Sequence, residues 1–342
     1  MSSNPTEPTL DREISVESIS SVAERVLEGV STVVVGMREP LKLALSAILG
    51  GGHVLFEDVP GLGKTLAARS LAQALGLEFS RLQCTPDLLP SDITGSNIFN
   101  PATRDFEVRK GPVFTGLFLA DEINRTAPKT QSALLEAMAE GQVSIDGTTY
   151  KLPSPFHVIA TSNPVEFEGT YALPEAQLDR FMVRLSVGYL PEEQEADILA
   201  RRLGRRTEAT HVDPVINAEE LAAIQARTEA IHVDRDIISY CVAIAHATRV
   251  HSAVEVGVSP RGAQSLLLMA RSYAVISGRS YVLPEDVKAV AVAALAHRIT
   301  LTPNAWASGV GTSQLIADLL DVVPTPSVLG SAGTDAPAPA LP

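Results

Sequence analysis

Apolar residues recur in two rhythms along this chain, and the rhythm changes near Pro191. Before it, helix-spaced patterns alternate with short apolar runs. Ile19 to Val33 and Glu39 to Leu49 read as helices, and Gly50-Gly51-Gly52 stops the second. The run His53 to Phe56 leads through a glycine-rich turn into a helix predicted over Lys64 to Leu75. Glu78 to Cys84, Gly116 to Ala120, Phe156 to Thr161 and Phe181 to Val187 are short, apolar and bounded by polar residues, as buried parallel strands are. Another helix is predicted over Pro128 to Glu140. Alternating strands and helices imply an α/β fold with a doubly wound parallel sheet. Two predicted hairpins interrupt it: Asn97 to Glu107, turning at Pro101-Ala102-Thr103, and Gln142 to Leu152, turning at Asp146-Gly147.

After Pro191 helical patterns dominate: Glu192 to Leu203, Asn217 to Ile231, Arg235 to Val250, Pro260 to Ser277 and Pro284 to Ile299. Asn217 with Glu220 forms a capping-box start, and Pro284 sits where a helix start tolerates its missing N–H. The expected organisation is a flexible N-terminus over 1–18, an α/β core with two hairpin insertions over 19–190, and a smaller, separate all-helical domain over 191–323. A Pro-, Ala-, Gly- and Ser-rich tail over 324–342 is expected to be disordered.

A chain of 342 residues accommodates two domains. Its formal net charge of -13 weighs against a protein that grips nucleic acid or anionic lipid. The two cysteines, Cys84 and Cys241, form no metal or disulfide pattern and read as buried thiols in a reducing compartment. Met1 to Ser20 lacks the basic start and apolar run of a signal peptide. No stretch reaches the ~18 apolar residues of a membrane span. The expectation is a cytoplasmic protein without direct membrane insertion. The scattered histidines form no metal box.

Asp58-Val59-Pro60-Gly61-Leu62-Gly63-Lys64-Thr65 joins an apolar strand to a helix, the context a phosphate-binding loop requires. Gly61 and Gly63 would let backbone N–H groups turn toward phosphate oxygens, and the helix start adds donors and positive dipole. Pro60, Gly61, Leu62, Gly63, Lys64, Thr65 and Leu66 are therefore the expected ATP-binding residues. Lys64 would reach the β- and γ-phosphates, and Thr65 would place its hydroxyl on Mg²⁺. The general pattern begins with glycine, where this chain has Asp58. Leu117 to Ala120 delivers Asp121 and Glu122 at a strand end. Asp121 would hold Mg²⁺ with Thr65, and Glu122 would polarise the attacking water. Asp-Glu at a strand end also fits a solvated loop, but the upstream phosphate loop gives the pair a partner. Asn163, in Thr161-Ser162-Asn163-Pro164, could position water or simply make an Asn-Pro turn. Arg180 and Arg261 could each be solvated or add positive charge to phosphoryl transfer, and Arg261 could instead report nucleotide state to the helical domain.

With these residues in hand, the chain resembles AAA+ ATPases of the MoxR family, closely from about Val34 to Leu190. The resemblance rests on Gly61 to Thr65, on Gly111-Pro112-Val113-Phe114 through Asp121-Glu122-Ile123-Asn124-Arg125 to Met138, and on Gly169 to Phe181 with its Glu175-Ala176-Gln177-Leu178-Asp179-Arg180 run. Ser259-Pro260-Arg261 and Pro284-Glu285-Asp286-Val287 extend it into the helical part, which the family uses as a lid. The resemblance implies that Asn163 is a first sensor, Arg180 an arginine finger acting in trans and Arg261 a second sensor. It implies a self-assembled ring, usually a hexamer, with the hairpins facing a pore or partner, and it accepts Asp58. It also implies chaperone-like remodelling of a client protein with a von Willebrand A-domain partner whose own metal site binds the ring, in some relatives for metal insertion into enzymes. A magnesium-chelatase-like motor subunit, a nucleotide-gated scaffold with little turnover and a nucleic-acid motor are the competing readings.

Overall fold

The computed structural model describes residues 14–164, 170–207 and 209–326. The N-terminus before residue 14, the tail after residue 326 and Gly169 lie outside them. Two helices come first, α1 (Val16–Ser31) and α2 (Arg38–Leu49). α1 begins three residues before the pattern suggested, inside the span expected to be flexible, because Ser15 caps it: its side chain accepts the Ser18 N–H at 3.2 Å.

The core then alternates as the hydrophobic rhythm requires. β1 (Val54–Glu57) passes through the glycine turn into α3 (Lys64–Ala74), followed by β2 (Phe79–Gln83) and a short α4 (Pro90–Thr94). The first hairpin pairs β3 (Gly95–Asn100) with β4 (Asp105–Lys110). β5 (Leu117–Asp121) and α5 (Pro128–Glu140) precede the second hairpin, β6 (Gln142–Ile145) with β7 (Thr148–Lys151), whose Asp146 and Gly147 both have positive φ. That is the geometry a two-residue hairpin turn demands. β8 (His157–Ser162), α6 (Glu175–Leu178) and β9 (Val183–Leu185) complete the core. β9 is shorter than predicted. The Phe181 N–H turns back to the Leu178 carbonyl, and the Val187 N–H goes to the Asp58 side chain instead of a neighbouring strand.

Five parallel strands run in the order β2-β5-β8-β1-β9. Val54, Phe56, Leu117, Leu119 and Ile159 enter one apolar cluster, whereas Leu55, Phe118, Ala120, Val158 and Ala160 enter a second. β1, β5 and β8 thus bury both faces, which is why their apolar runs are unbroken.

The second half comprises α7 (Glu192–Arg205), α8 (Ala218–Glu229), α9 (Arg235–Val250), β10 (Val254–Val256), α10 (Pro260–Ile276), α11 (Pro284–Leu295), β11 (Thr300–Leu301), α12 (Pro303–Ala307) and α13 (Thr312–Val322). The predicted capping box of Asn217 and Glu220 is present. Two expectations need correction. This half is not all helical, since β10 and β11 pair antiparallel. Nor is its core separate. Leu266, Met269, Ala270 and Ala274 of α10 are fully buried in the same cluster as Val26 and Val30 of α1 and Ile48 of α2. Burying a large apolar side chain contributes ~1.5–3 kcal/mol, so this shared face binds the two halves firmly. Among the described residues no helix is long and apolar enough to cross a membrane.

Candidate nucleotide site

At the C-terminal ends of β1, β5 and β8 lies a cleft of about 320 Å³. Pro60, Gly61, Gly63, Lys64, Thr65 and Leu66 line it, with Asp121, Glu122 and Asn163 opposite. Leu62 alone of the predicted loop residues is not in its lining. Gly61 and Gly63 have φ of +87° and +81°, and an added Cβ would meet no protein atom within 4 Å at either. Their glycines are required by backbone conformation, and the open space beside them is a cradle for phosphate oxygens.

The Lys64 ammonium donates to the carbonyls of Asp58 and Val59 at 2.6 and 3.1 Å. Burial draws its pKa down, against the pull of the Asp58, Asp121 and Glu122 carboxylates. Asp121 is saturated with donors. Its Oδ1 accepts from the Thr161 hydroxyl at 2.6 Å. Its Oδ2 accepts from the Thr65 hydroxyl at 3.1 Å and from Arg81 Nε at 3.0 Å. Burial alone would raise the Asp121 pKa, but the hydrogen bonds from Thr161, Arg81 and Thr65 hold it below the ordinary carboxylate range. The same Thr161 hydroxyl accepts the Glu122 N–H at 2.8 Å, so one side chain fixes both acids. Glu122 sits in the left-handed region at φ +58°, which turns its carboxylate away from the strand. That carboxylate accepts from Gln83 Nε2 at 2.7 Å and pairs with Arg125 at 3.1 Å. Asn124 Nδ2 donates to the Asn163 carbonyl at 3.1 Å, tying Asn163 to the acid-bearing strand end.

A hard cation that keeps several waters takes only one or two protein oxygens plus phosphate oxygens. Thr65 Oγ1 and an ionised Asp121, 3.1 Å apart, fit that demand for Mg²⁺. Among the described residues no group of three or more His, Cys, Asp or Glu offers a fuller metal cage. Cys84 is no nucleophile: burial pushes its thiol up to about 12.

Arg180 and Arg261 are not in this cleft. Val54 of β1 pairs with Val183 of β9, so Arg180 precedes the shared register and lies at the opposite, N-terminal edge of the sheet. It donates to the Leu135 carbonyl. Arg261 is exposed at the start of α10, where Ser259 Oγ donates to Asp179 Oδ2 at 3.3 Å. Arg298, with a side chain only 2% exposed, binds Asp179 at 2.7 Å beneath both. Gly262 is small because of it: an added Cβ would meet Arg298 Cδ at 2.8 Å. Sequence reasoning missed Arg81, Gln83 and Thr161. The alternation of Phe79-Ser80-Arg81-Leu82-Gln83 put Arg81 and Gln83 on one face, but only the β2–β5 register, with Gln83 opposite Asp121, shows what they meet.

Residues 53–183 match the profile of the ATPase family associated with various cellular activities (AAA), and 246–319 match the AAA lid domain. Over 314 residues the chain is 40% identical to Chaperone MoxR1 of Mycobacterium tuberculosis, covering 89% of this chain and 82% of that one. The chain belongs to the MoxR family of AAA+ ATPases. A second relative, the uncharacterized protein YeaC of Bacillus subtilis, is 46% identical over 310 residues, 91% of this chain and 97% of its own. A candidate ATPase of Cytophaga hutchinsonii, known from its crystal structure, aligns with TM-score 0.85 at 41% identity, covering 91% of this chain and 97% of that one. Nucleotide binding and ATP hydrolysis follow from the family, and the cleft lined by Gly61, Lys64 and Glu122 is where this MoxR chain can carry them.

Proposed function

We propose that this MoxR chain is a ring-forming, Mg²⁺-dependent ATPase that remodels or activates a protein client. The observation that carries the reading is the separation of Arg180 and Arg261 from the chain's own cleft. The cleft holds Lys64 for the phosphates and two acids for metal and water. Arg81, which also lines it, is engaged by Asp121 and Gln83, and the arginines at the far sheet edge can supply a further cation to a neighbouring subunit, worth about 10³ to 10⁵ in rate. Thr65 and Asp121 would hold Mg²⁺, which would supply charge neutralisation at the phosphates; Glu122 orients and polarises the attacking water, Asn163 positions that water, and Lys64 binds the phosphate oxygens. Arg180 acts as the finger, and Arg261 joins it at the same interface instead of closing over its own loop.

A hexameric ring, a cytoplasmic setting, a von Willebrand A-domain partner and a role in metal insertion complete the reading. They rest on likeness to the MoxR family. The name of the relative Chaperone MoxR1 supports a chaperone role. The two hairpins, with Phe99 and Phe106 exposed on the first, are suited to meet the client or partner. Glu122→Gln should bind ATP without turning it over, and Lys64→Ala should lose binding. Wild-type turnover in Glu122→Gln would refute the assignment.

One observation favours a second reading, a nucleotide-gated scaffold with little turnover. Gln83 and Arg125 both engage the Glu122 carboxylate, which withholds it from water. Turnover measured with and without a partner separates the two.

A further inference from the structure

Two helices carry apolar stripes that the single chain leaves bare. α7 has no buried residue at all. Arg201 donates to the Ser31 and Thr32 carbonyls, both at 3.1 Å, and holds one face of α7 against the end of α1. On the opposite face Ala196, Leu199, Ala200 and Leu203 follow at the spacing of a single helical stripe. Leu199 and Leu203 are 66% and 76% exposed. α9 carries the second stripe. Ile238, Val242, His246 and Val250 recur every fourth residue, and with Val323 and Pro324 they line an apolar groove of about 630 Å³. Val242 and Val250 are 54% and 69% exposed. Contiguous bare apolar surface of this kind marks a place where another surface docks.

Each stripe belongs to one half of the proposed ATPase site. α7 starts just after Val187 and Gly188, whose N–H groups donate to Asp58 Oδ2 at 2.6 and 2.7 Å. Its first turn therefore stands beside the phosphate loop. α9 ends where Arg249 Nε donates to the Val258 carbonyl at 2.7 Å, on the segment that leads into Arg261. The start of α7 goes with the cleft, and the end of α9 goes with an arginine that lies outside it.

We propose that α7 of one copy seats its stripe in the α9 groove of the next copy, with the two helices antiparallel. This rests on the ring reading above. Antiparallel packing sets Leu203 on Ile238, Leu199 on Val242 and Ala196 on His246. It brings the start of α7 to the end of α9, and so carries Arg261 toward the neighbour's cleft. Parallel packing would part them. The charges agree. α7 opens on Glu192, Glu193 and Glu195 and closes on Arg202 and Arg206. Asp234 and Asp236, with Arg235 between them, open α9, and Arg249 stands in its last turn. Stripe and groove are different surfaces, so each copy uses α7 toward one neighbour and α9 toward the other, the head-to-tail contact from which rings close. A specific interface buries about 800 Å² per partner, more than one helix stripe offers. The helix contact therefore works together with the contact between cleft and arginines beside it.

Disulfide trapping in the full chain, with Mg²⁺ and a non-hydrolysable ATP analogue, tests the contact. Cys84 and Cys241 are buried, which leaves introduced surface thiols as the reactive ones. Leu203→Cys with Ile238→Cys on one chain should give a ladder of linked chains under mild oxidation, and neither single variant should link. Leu203→Asp, at an exposed position, should raise the protein concentration needed for assembly about tenfold or more in sedimentation. Linking by a single variant would mean that like helix packs on like. A ladder from Leu203→Cys with Val250→Cys instead would mean parallel helices. Either result overturns the proposal, and so does unchanged assembly of Leu203→Asp. Rings that form without a ladder also overturn it while leaving the ring reading intact, with the groove then open to residues 327–342 or to a client. A wild type that stays monomeric with nucleotide overturns the ring reading, and this contact with it.

Discussion

At the C-terminal ends of β1, β5 and β8, carboxylates are held ionised around an open cleft. At the N-terminal ends of the same strands, His53, His157 and His297 are sealed from water and held neutral beside Arg298. The first end keeps charge where a ligand can reach it, with Thr161, Thr65 and Arg81 supplying donors. The second spends its polar groups on rigidity. His53 accepts the Val158 N–H at 3.0 Å, His157 bonds the Gly52 carbonyl at 2.9 Å, and Arg298 spans Asp179, Phe181 and Ser265. Above that frame Arg261 is left exposed at the surface. The contrast teaches that one end keeps its charges within reach of a ligand and the other spends its polar groups on a rigid frame; the proposed function uses the cations on that frame outside the subunit.

The sharpest attempt to break this contrast is Arg180→Ala. ATP binding should persist while turnover falls by about 10³-fold or more. Mixing this variant with Lys64→Ala should restore activity, because each supplies what the other lacks. No recovery in the mixture would mean that the two ends do not meet across an interface.

Arg298→Ala attacks the frame itself. It leaves Asp179 without its buried partner and should cost about 3 kcal/mol in denaturant unfolding. A change near zero would show that the second end is not held by this pair.

Acid should separate the ends by pH. His53 and His157 have pKa values lowered from 6.5 to about 4, chiefly by burial. Their neutral forms stabilise the fold fully above pH 6.5, and that stability is lost as pH falls toward about 4. Each contributes up to ~3 kcal/mol. Asp58 and Asp121 have lowered values, so their contribution is complete above the ordinary 3.8 and is lost only below it. Unfolding midpoints of a His53→Gln, His157→Gln double variant should therefore fall less steeply between pH 6.5 and 4 than those of the wild type, with His297 carrying the slope that remains. Replacing Asp58 should alter only the more acidic limb.

The smallest expected effect lies outside both ends. Phe99 and Phe106 stack edge to face at 5.5 Å on the exposed first hairpin. Replacing both with Ala should cost only ~1 kcal/mol and leave basal turnover unchanged, while client-stimulated turnover falls. A drop in basal turnover would move the hairpin into the catalytic machinery.

The reactive end was the more legible in sequence. A phosphate loop is local: strand, glycine turn and helix occupy consecutive residues, and Asp121-Glu122 closes an apolar strand. Nothing local told that Arg81 meets Asp121 or that Asp58 meets Gly188, because both contacts depend on strand neighbours distant in sequence. The resemblance implied that Arg180 acts away from its own cleft, but that Arg261 lies apart from it too was hidden, since tertiary packing decides it. α13 was readable and overlooked: Leu315, Ile316, Leu319 and Leu320 fall on one helical face and are buried. The packing of the second half onto α1 was hidden for a simpler reason. Periodicity tells which face of α1 is apolar, but not that α10 covers it.

That cover has a consequence for synthesis. The Ser20 hydroxyl donates to the Ile276 carbonyl at 2.8 Å, across a separation of 256 residues. α1 leaves the ribosome early and can pack on α2 and α3, yet the part of its apolar stripe that α10 covers waits until α10 emerges. At ~5–20 residues per second, that wait is roughly ten to fifty seconds. For that interval the nascent chain carries Val26, Leu27 and Val30 uncovered or covered by something else. A chain from a chaperone-like family is itself, while being made, a candidate for escort.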